Sequence, residues 1–247
     1  HSGNLQRIFS KNLTSQQNST IDFTDLGFGY ISSLATNDDG NYIYASICSN
    51  QFQTDGEIIK IDASNNSIID GFSLPQNSLC RKLFYANNKL YCLIETFLNQ
   101  QNRQIKIFIG ALSDPSNTYL LSPNTIIFND QSYGNFIQDE SGDLFLAISI
   151  YNDPNEGIIL KIENETNTIV DIFNAYFPRS IAYDKYNSKL YFTNNELNPY
   201  LGVIDLETST VHYENLTSSF TRLIEPIYDE FKNEVCLFGH IETNDPY

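Results

Sequence analysis

The chain has 247 residues, and 14 Lys and Arg stand against 30 Asp and Glu, for a net charge of −16 at neutral pH. That balance lacks the basic footprint nucleic acid requires and gives no attraction to anionic membranes. No run of 18 apolar residues occurs, so no membrane insertion within this chain is expected, and the length suits one domain over 1–247 with a full core.

The N-terminal stretch holds two strand-like runs, Gln6 to Thr14 and Asn18 to Phe23. From Ser33 a pattern begins that recurs to the C-terminus. In the first repeat, Ser33-Leu34-Ala35-Thr36 passes through Asn37-Asp38-Asp39-Gly40 into Asn41-Tyr42-Ile43-Tyr44, and runs at Glu57 to Ile61 and Ser67 to Asp70 follow. The second has Lys82-Leu83-Phe84-Tyr85, the turn Ala86-Asn87-Asn88 and Lys89-Leu90-Tyr91-Cys92, then Ile105 to Phe108 and Thr125 to Phe128. The third has Asn135-Phe136-Ile137-Gln138, Asp139-Glu140-Ser141-Gly142 and Asp143-Leu144-Phe145-Leu146, then Gly157 to Ile162 and Thr168 to Asp171. The fourth has Ser180-Ile181-Ala182-Tyr183, Asp184-Lys185-Tyr186-Asn187 and Lys189-Leu190-Tyr191-Phe192, then Leu201 to Ile204 and Thr210 to Tyr213. The fifth has Glu225-Pro226-Ile227-Tyr228, Asp229-Glu230-Phe231-Lys232 and Glu234-Val235-Cys236-Leu237, and stops there.

The runs are rich in β-branched and aromatic residues, and the turns in Asn, Asp and Gly, which tolerate tight hairpins. Taking Ile43, Leu90, Leu144, Leu190 and Val235 as equivalent, the steps are 47, 54, 46 and 45 residues. Four short strands per step predict an all-β, five-bladed β-propeller. The fifth repeat lacks two strands and the N-terminus has two to spare, so the ends are expected to build one blade together and hide the sheet edges. A six-bladed ring, with a degenerate unit inside the 54-residue step, and an open sandwich are the alternatives.

The stretch from Lys161-Ile162 through Thr168-Ile169-Val170-Asp171, then Pro178 to Asp184, then Asn187 to Asn194, resembles a YVTN- or NHL-type propeller repeat. Residues 57 to 93 carry a weaker copy. The resemblance implies a propeller and a binding role, in families that also host enzymes.

Five sequons occur, at Asn12, Asn18, Asn65, Asn164 and Asn215. Asn12, Asn65 and Asn164 are placed in the turn between third and fourth strands, so glycans there would leave the opposite face open. Four Cys fit an oxidising compartment, with a Cys48–Cys80 bridge between adjacent repeats and Cys92 and Cys236 as free buried thiols. No Met is present, so a processed or excised part of a larger extracellular protein is expected.

No zinc motif, phosphate loop or nucleophile elbow occurs, and no cofactor is expected. His212 falls in an outer strand and His240 follows a strand, so neither reads as a site. The residues that begin the inner strands converge in this reading at one mouth of the channel: Ser33, Arg81, Lys82, Asn135, Arg179, Ser180 and Glu225. They form either a polar site for an anionic or sugar-like group, or an internal network pairing Arg81 or Arg179 with Glu225. Asp139, Asp184 and Asp229 recur at the start of the hairpin turn, which turn chemistry explains, and a calcium-binding ring is the other reading. The expected function is a secreted or cell-surface recognition and adhesion module, with a protein or glycan partner on one propeller face. The alternative is a propeller-fold glycosidase or metal-dependent hydrolase with paired carboxylates or an ion in the channel.

Overall fold

The computed structural model describes residues 7–11, 18–22, 30–48, 56–97, 103–110, 119–120, 126–128, 132–150, 157–194, 200–216 and 222–240. Among them every regular element is a β-strand, and no helix is long and apolar enough to cross a membrane. The chain divides into two compact units, His1–Asn129 and Asp130–Tyr247.

In the first unit, β1 (Arg7–Lys11) and β2 (Asn18–Asp22) form an antiparallel hairpin. Then β3 (Tyr30–Thr36), β4 (Tyr42–Cys48), β5 (Gly56–Asp62) and β6 (Ile68–Ser73) form a four-stranded meander. The next sheet holds β7 (Ser78–Ala86), β8 (Lys89–Phe97) and β9 (Arg103–Gly110), with β10 (Tyr119–Leu120) and β11 (Ile126–Phe128) sharing the free edge of β9. The long second step of the repeat thus contains an additional short strand on the same sheet edge.

In the second unit, β12 (Ser132–Gln138), β13 (Leu144–Ile150), β14 (Gly157–Ile162) and β15 (Ile169–Asn174) make one meander. A second contains β16 (Ser180–Asp184), β17 (Lys189–Thr193), β18 (Tyr200–Asp205) and β19 (Thr210–Asn215). The last sheet has two strands, β20 (Arg222–Asp229) and β21 (Glu234–His240).

The turns follow from their residues. Asn87 and Asn88 both take left-handed backbone, with φ of 52° and 58°, which is what a two-residue hairpin matched to strand twist demands. Gly40 and Gly142 supply the same freedom in longer turns, with φ of 71° and 86°. The Asp at the start of the turn closes it. Asp184 Oδ1 accepts from the N–H of Tyr186 at 3.0 Å, Asp229 Oδ1 from that of Phe231 at 3.0 Å, and Asp139 Oδ1 from that of Asp143 at 2.9 Å. Turn chemistry therefore accounts for these three Asp, and among the described residues no three His, Cys, Asp or Glu side chains converge as metal ligands.

Middle strands bury both faces. In the first unit Tyr44 and Ile58 face a cluster with Leu83, Leu90 and Ile94, while Ala45, Ile47, Ile59 and Ile61 pack on the other side. In the second, Phe145, Ile159, Phe173, Ile181, Leu190, Phe192 and Ile204 form one continuous cluster between β12–β15 and β16–β19. Burial of such side chains contributes roughly 1.5–3 kcal/mol each.

Passage from one sheet to the next is set by a repeated close approach. Leu74 N–H donates to Gly56 C=O at 2.7 Å, and Ala175 N–H to Gly157 C=O at 3.0 Å, so the departing chain crosses directly over the start of the third strand. After Ala175 the main chain is gripped by two tyrosines. The Tyr200 hydroxyl donates to the Tyr176 carbonyl, and the Tyr176 N–H donates to the Tyr213 hydroxyl at 3.3 Å. The three rings stand nearly perpendicular to one another, an arrangement that favours edge-to-face contact. This clamp sets where β16 begins.

Candidate functional site

The first strands of the five sheets share one register. Thr36, Tyr85, Gln138, Tyr183 and Tyr228 pair with the marker residues Ile43, Leu90, Leu144, Leu190 and Val235. Three residues earlier in each strand stand Ser33, Lys82, Asn135, Ser180 and Glu225, all nominated from the sequence. In β3, β7 and β20 the register shifts just before this position, at Ser32, Arg81 and Ile224. A bulge adds one unpaired residue and turns the strand, so it re-aims the side chains beside it.

In the first unit Ser33 and Arg81 are tied into the fold. Ser33 Oγ accepts from the Leu83 N–H at 2.9 Å, and Ser32 Oγ donates to the Cys80 C=O at 2.6 Å. These bonds join β3 to β7. Arg81 Nε donates to Glu95 Oε2 at 2.5 Å, and the Glu95 side chain is fully buried. The partner of Arg81 is therefore Glu95 and not Glu225. Leu79 pairs with Glu95 across the hairpin, which brings that carboxylate within reach of the bulged Arg81. The signal for Glu95 in the sequence was a single carboxylate closing the apolar run Leu90-Tyr91-Cys92-Leu93-Ile94.

Cys80 and Cys92 are free and buried, and they share one core cluster. Cys80 Sγ donates to the Lys82 C=O at 3.2 Å, and burial first, then the neighbouring Cys80 thiol, push the Cys92 thiol well above its ordinary range. The expected bridge from Cys80 to Cys48 is not made here. The register aims Cys80 into the face it shares with Cys92, and the Cys48 side chain lies outside the described residues. Cys236 is free and half-buried.

In the second unit Asn135 Nδ2 donates to Ser180 Oγ at 3.3 Å, joining β12 to β16, while the main-chain N–H of Arg179 donates to the Thr193 C=O at 3.0 Å. Glu225 is exposed, and its carboxylate has no ion pair or hydrogen bond among the described residues.

Asn135 and Glu225 line a cavity of about 620 Å³ bounded by β12, β16 and β20 and by the hairpin turns that follow them. Arg179 and Ser180 are not among its lining residues. Ile181, Ala182 and Pro226 form apolar wall, and Tyr183, Tyr228, Asp139, Glu140, Lys185 and Glu230 stand toward the turns. Lys185 Nζ lies 2.5 Å from Glu230 Oε2, and that hydrogen bond raises the ammonium above its ordinary range. Burial first, then the hydrogen bond with Asp184, push the Tyr228 phenol up to about 12. Burial also raises Tyr183, followed by the fields of Asp139, Glu140 and Asp184. Both phenols stay protonated at neutral pH and serve as neutral ring walls with a polar tip.

Turns between first and second strands lie at the same end of each meander as turns between third and fourth. Hydrogen bonds join them: Asp143 Oδ1 accepts from the Asn164 N–H at 3.0 Å, and the Ala63 N–H donates to the Asn41 C=O at 2.9 Å. Asn65 and Asn164 do occupy those third-to-fourth turns. Asn164 therefore shares the end of its own unit's meanders at which the acid-rich rim of the cavity lies, and Asn65 lies at the corresponding end of its own sheet. Asn12 lies outside the described residues. Asn18 is in β2 and Asn215 in β19, with side chains outside the described residues.

No family model matches the chain, and no curated protein matches it. Solved structures do. A chain in the crystal structure of a mitotic checkpoint complex aligns with a TM-score of 0.62 at 11% identity, over 94% of this chain and 64% of that one. The Cps50 (Swd1) β-propeller domain of Myceliophteria thermophila aligns with a TM-score of 0.53 at 11% identity, over 84% of this chain and 64% of that domain. This chain thus spans 64% of the length of either structure. With its succession of antiparallel meanders, the likeness shows the fold: the chain is a β-propeller repeat protein.

Proposed function

We propose that the chain is a five-bladed propeller acting as a protein-recognition module, and that its partner engages the cavity of β12, β16 and β20. The observation that carries this reading is a concave site of about 620 Å³ with apolar wall, two tyrosines and, at Glu225, an exposed carboxylate with no ion pair among the described residues. The similar checkpoint chain was crystallised within a complex, which supports the same role.

A photo-crosslinking residue in place of Ile227, which lines the cavity and is 46% exposed, should capture a protein from native extract. The same residue in place of Ile69 on β6 should not. Equal capture at both positions, or none at Ile227, overturns the reading.

Closure belongs to this proposal. The β20–β21 sheet has two strands, the β1–β2 hairpin has two, and the sequence overlay makes them one blade. Removal of residues 1–22 should then lower the melting temperature and abolish hydrogen-exchange protection of the Val235 to Leu237 amides. Unchanged protection in the truncated chain would remove the shared blade and favour another blade count. The same reading keeps a secreted or cell-surface setting, with a glycan as the second partner class. Its support is Asn65, exposed in the turn that Asn164 occupies in its own sheet.

A further inference from the structure

We infer that the partner inserts a basic side chain, Lys or Arg, into the cavity lined by Glu225, Tyr183 and Tyr228. The inference rests on the cavity being the binding site and names the chemistry it selects.

Among the described residues four carboxylates line the cavity, those of Asp139, Glu140, Glu225 and Glu230, and one cation, Lys185, which is paired with Glu230. Asp139 is held by its turn, accepting from the N–H of Asp143 and the hydroxyl of Ser141. Glu225 is left with no neutralising partner among the described residues, and Glu140 has only the field of Lys185, which is already paired with Glu230. They lie toward opposite ends of the cavity, Glu225 along β20 and Glu140 in the turn after β12. Tyr183 and Tyr228 line the cavity at register positions between those two ends.

Ring faces attract a cation, most strongly where water is thinned out, and a carboxylate beyond them completes the pair. An anion would meet four carboxylates, one lysine already paired and neutral amide and phenol groups, with no free cation among the described lining residues. The volume exceeds that of a single guanidinium or ammonium chain, so a short length of main chain fits with it. The chain's net charge of −16 steers such a partner at long range, with an on-rate that falls as salt rises.

The test is an arrayed library of short peptides with every residue type at a central position, probed with the whole chain. Peptides with central Arg or Lys should dominate the hits. Replacing that Arg by citrulline, neutral and nearly isosteric, should weaken binding at least tenfold. Glu225→Gln should weaken it about tenfold and Glu140→Gln less, while Glu207→Gln, on the exposed turn before β19, should leave it unchanged. Ile227→Trp, which fills the cavity, should abolish it. Hits without basic residues that Ile227→Trp still abolishes would overturn the basic side chain and leave the cavity as the site. Hits indifferent to Ile227→Trp, or no hits at all, would overturn both.

Discussion

Arg81→Met should destabilise the chain by about 3–5 kcal/mol in urea unfolding at neutral pH, because it breaks a buried ion pair. Glu95 is fully buried and receives the Arg81 Nε–H at 2.5 Å, and its cross-strand neighbour Leu79 is buried too. The double variant Arg81→Met/Glu95→Leu should regain most of the loss, since replacing a whole buried pair by apolar residues is often neutral. A cost of less than about 1 kcal/mol for Arg81→Met would mean that the pair behaves like a surface bridge.

That pair also marks where sequence reading stopped. The shared register of Ser33, Lys82, Asn135, Ser180 and Glu225 was legible, because each precedes an apolar run and an Asn- or Asp-rich turn at one offset. Partners were not legible. The bulges at Ser32 and Arg81 leave no trace in strand alternation, yet they decide that Arg81 meets Glu95 and that Cys80 turns toward Cys92. A bulge is a property of the ladder and appears only when both strands are seen together. The end at which the cavity carries its acids was legible in principle, since an up-and-down meander puts its first and third turns on one side. The cavity itself was not, because it depends on how far apart β12, β16 and β20 stand, and strand spacing is set by the core beneath them.

Gly157→Ala should cost about 3 kcal/mol, the upper end of what overpacking does. A Cβ there would lie 2.2 Å from Pro178 Cδ, 2.8 Å from the Ala175 carbonyl oxygen and 3.1 Å from the Phe177 nitrogen, so it meets main chain and a ring that cannot swing away. The demand is for space, since this glycine does not require left-handed backbone. Gly56, its counterpart in the first unit, faces the Ser78 carbonyl oxygen at 2.8 Å and Leu74 Cδ1 at 2.9 Å. Leu74 can rotate but the Ser78 main chain cannot, so Gly56→Ala should cost about 2 kcal/mol, less than Gly157→Ala, whose nearest contact is a 2.2 Å clash with a proline ring. The difference matters for function because the segment crossing Gly157 leads through Arg179 into β16, one wall of the cavity. Gly157→Ala should thus weaken peptide binding beyond its effect on folding, and Gly56→Ala should not, when both are compared at temperatures where the chain remains folded. Equal binding losses would mean that the crossing over Gly157 does not set the wall, and that the clamp of Tyr200 and Tyr213 on Tyr176 holds β16 in place without it.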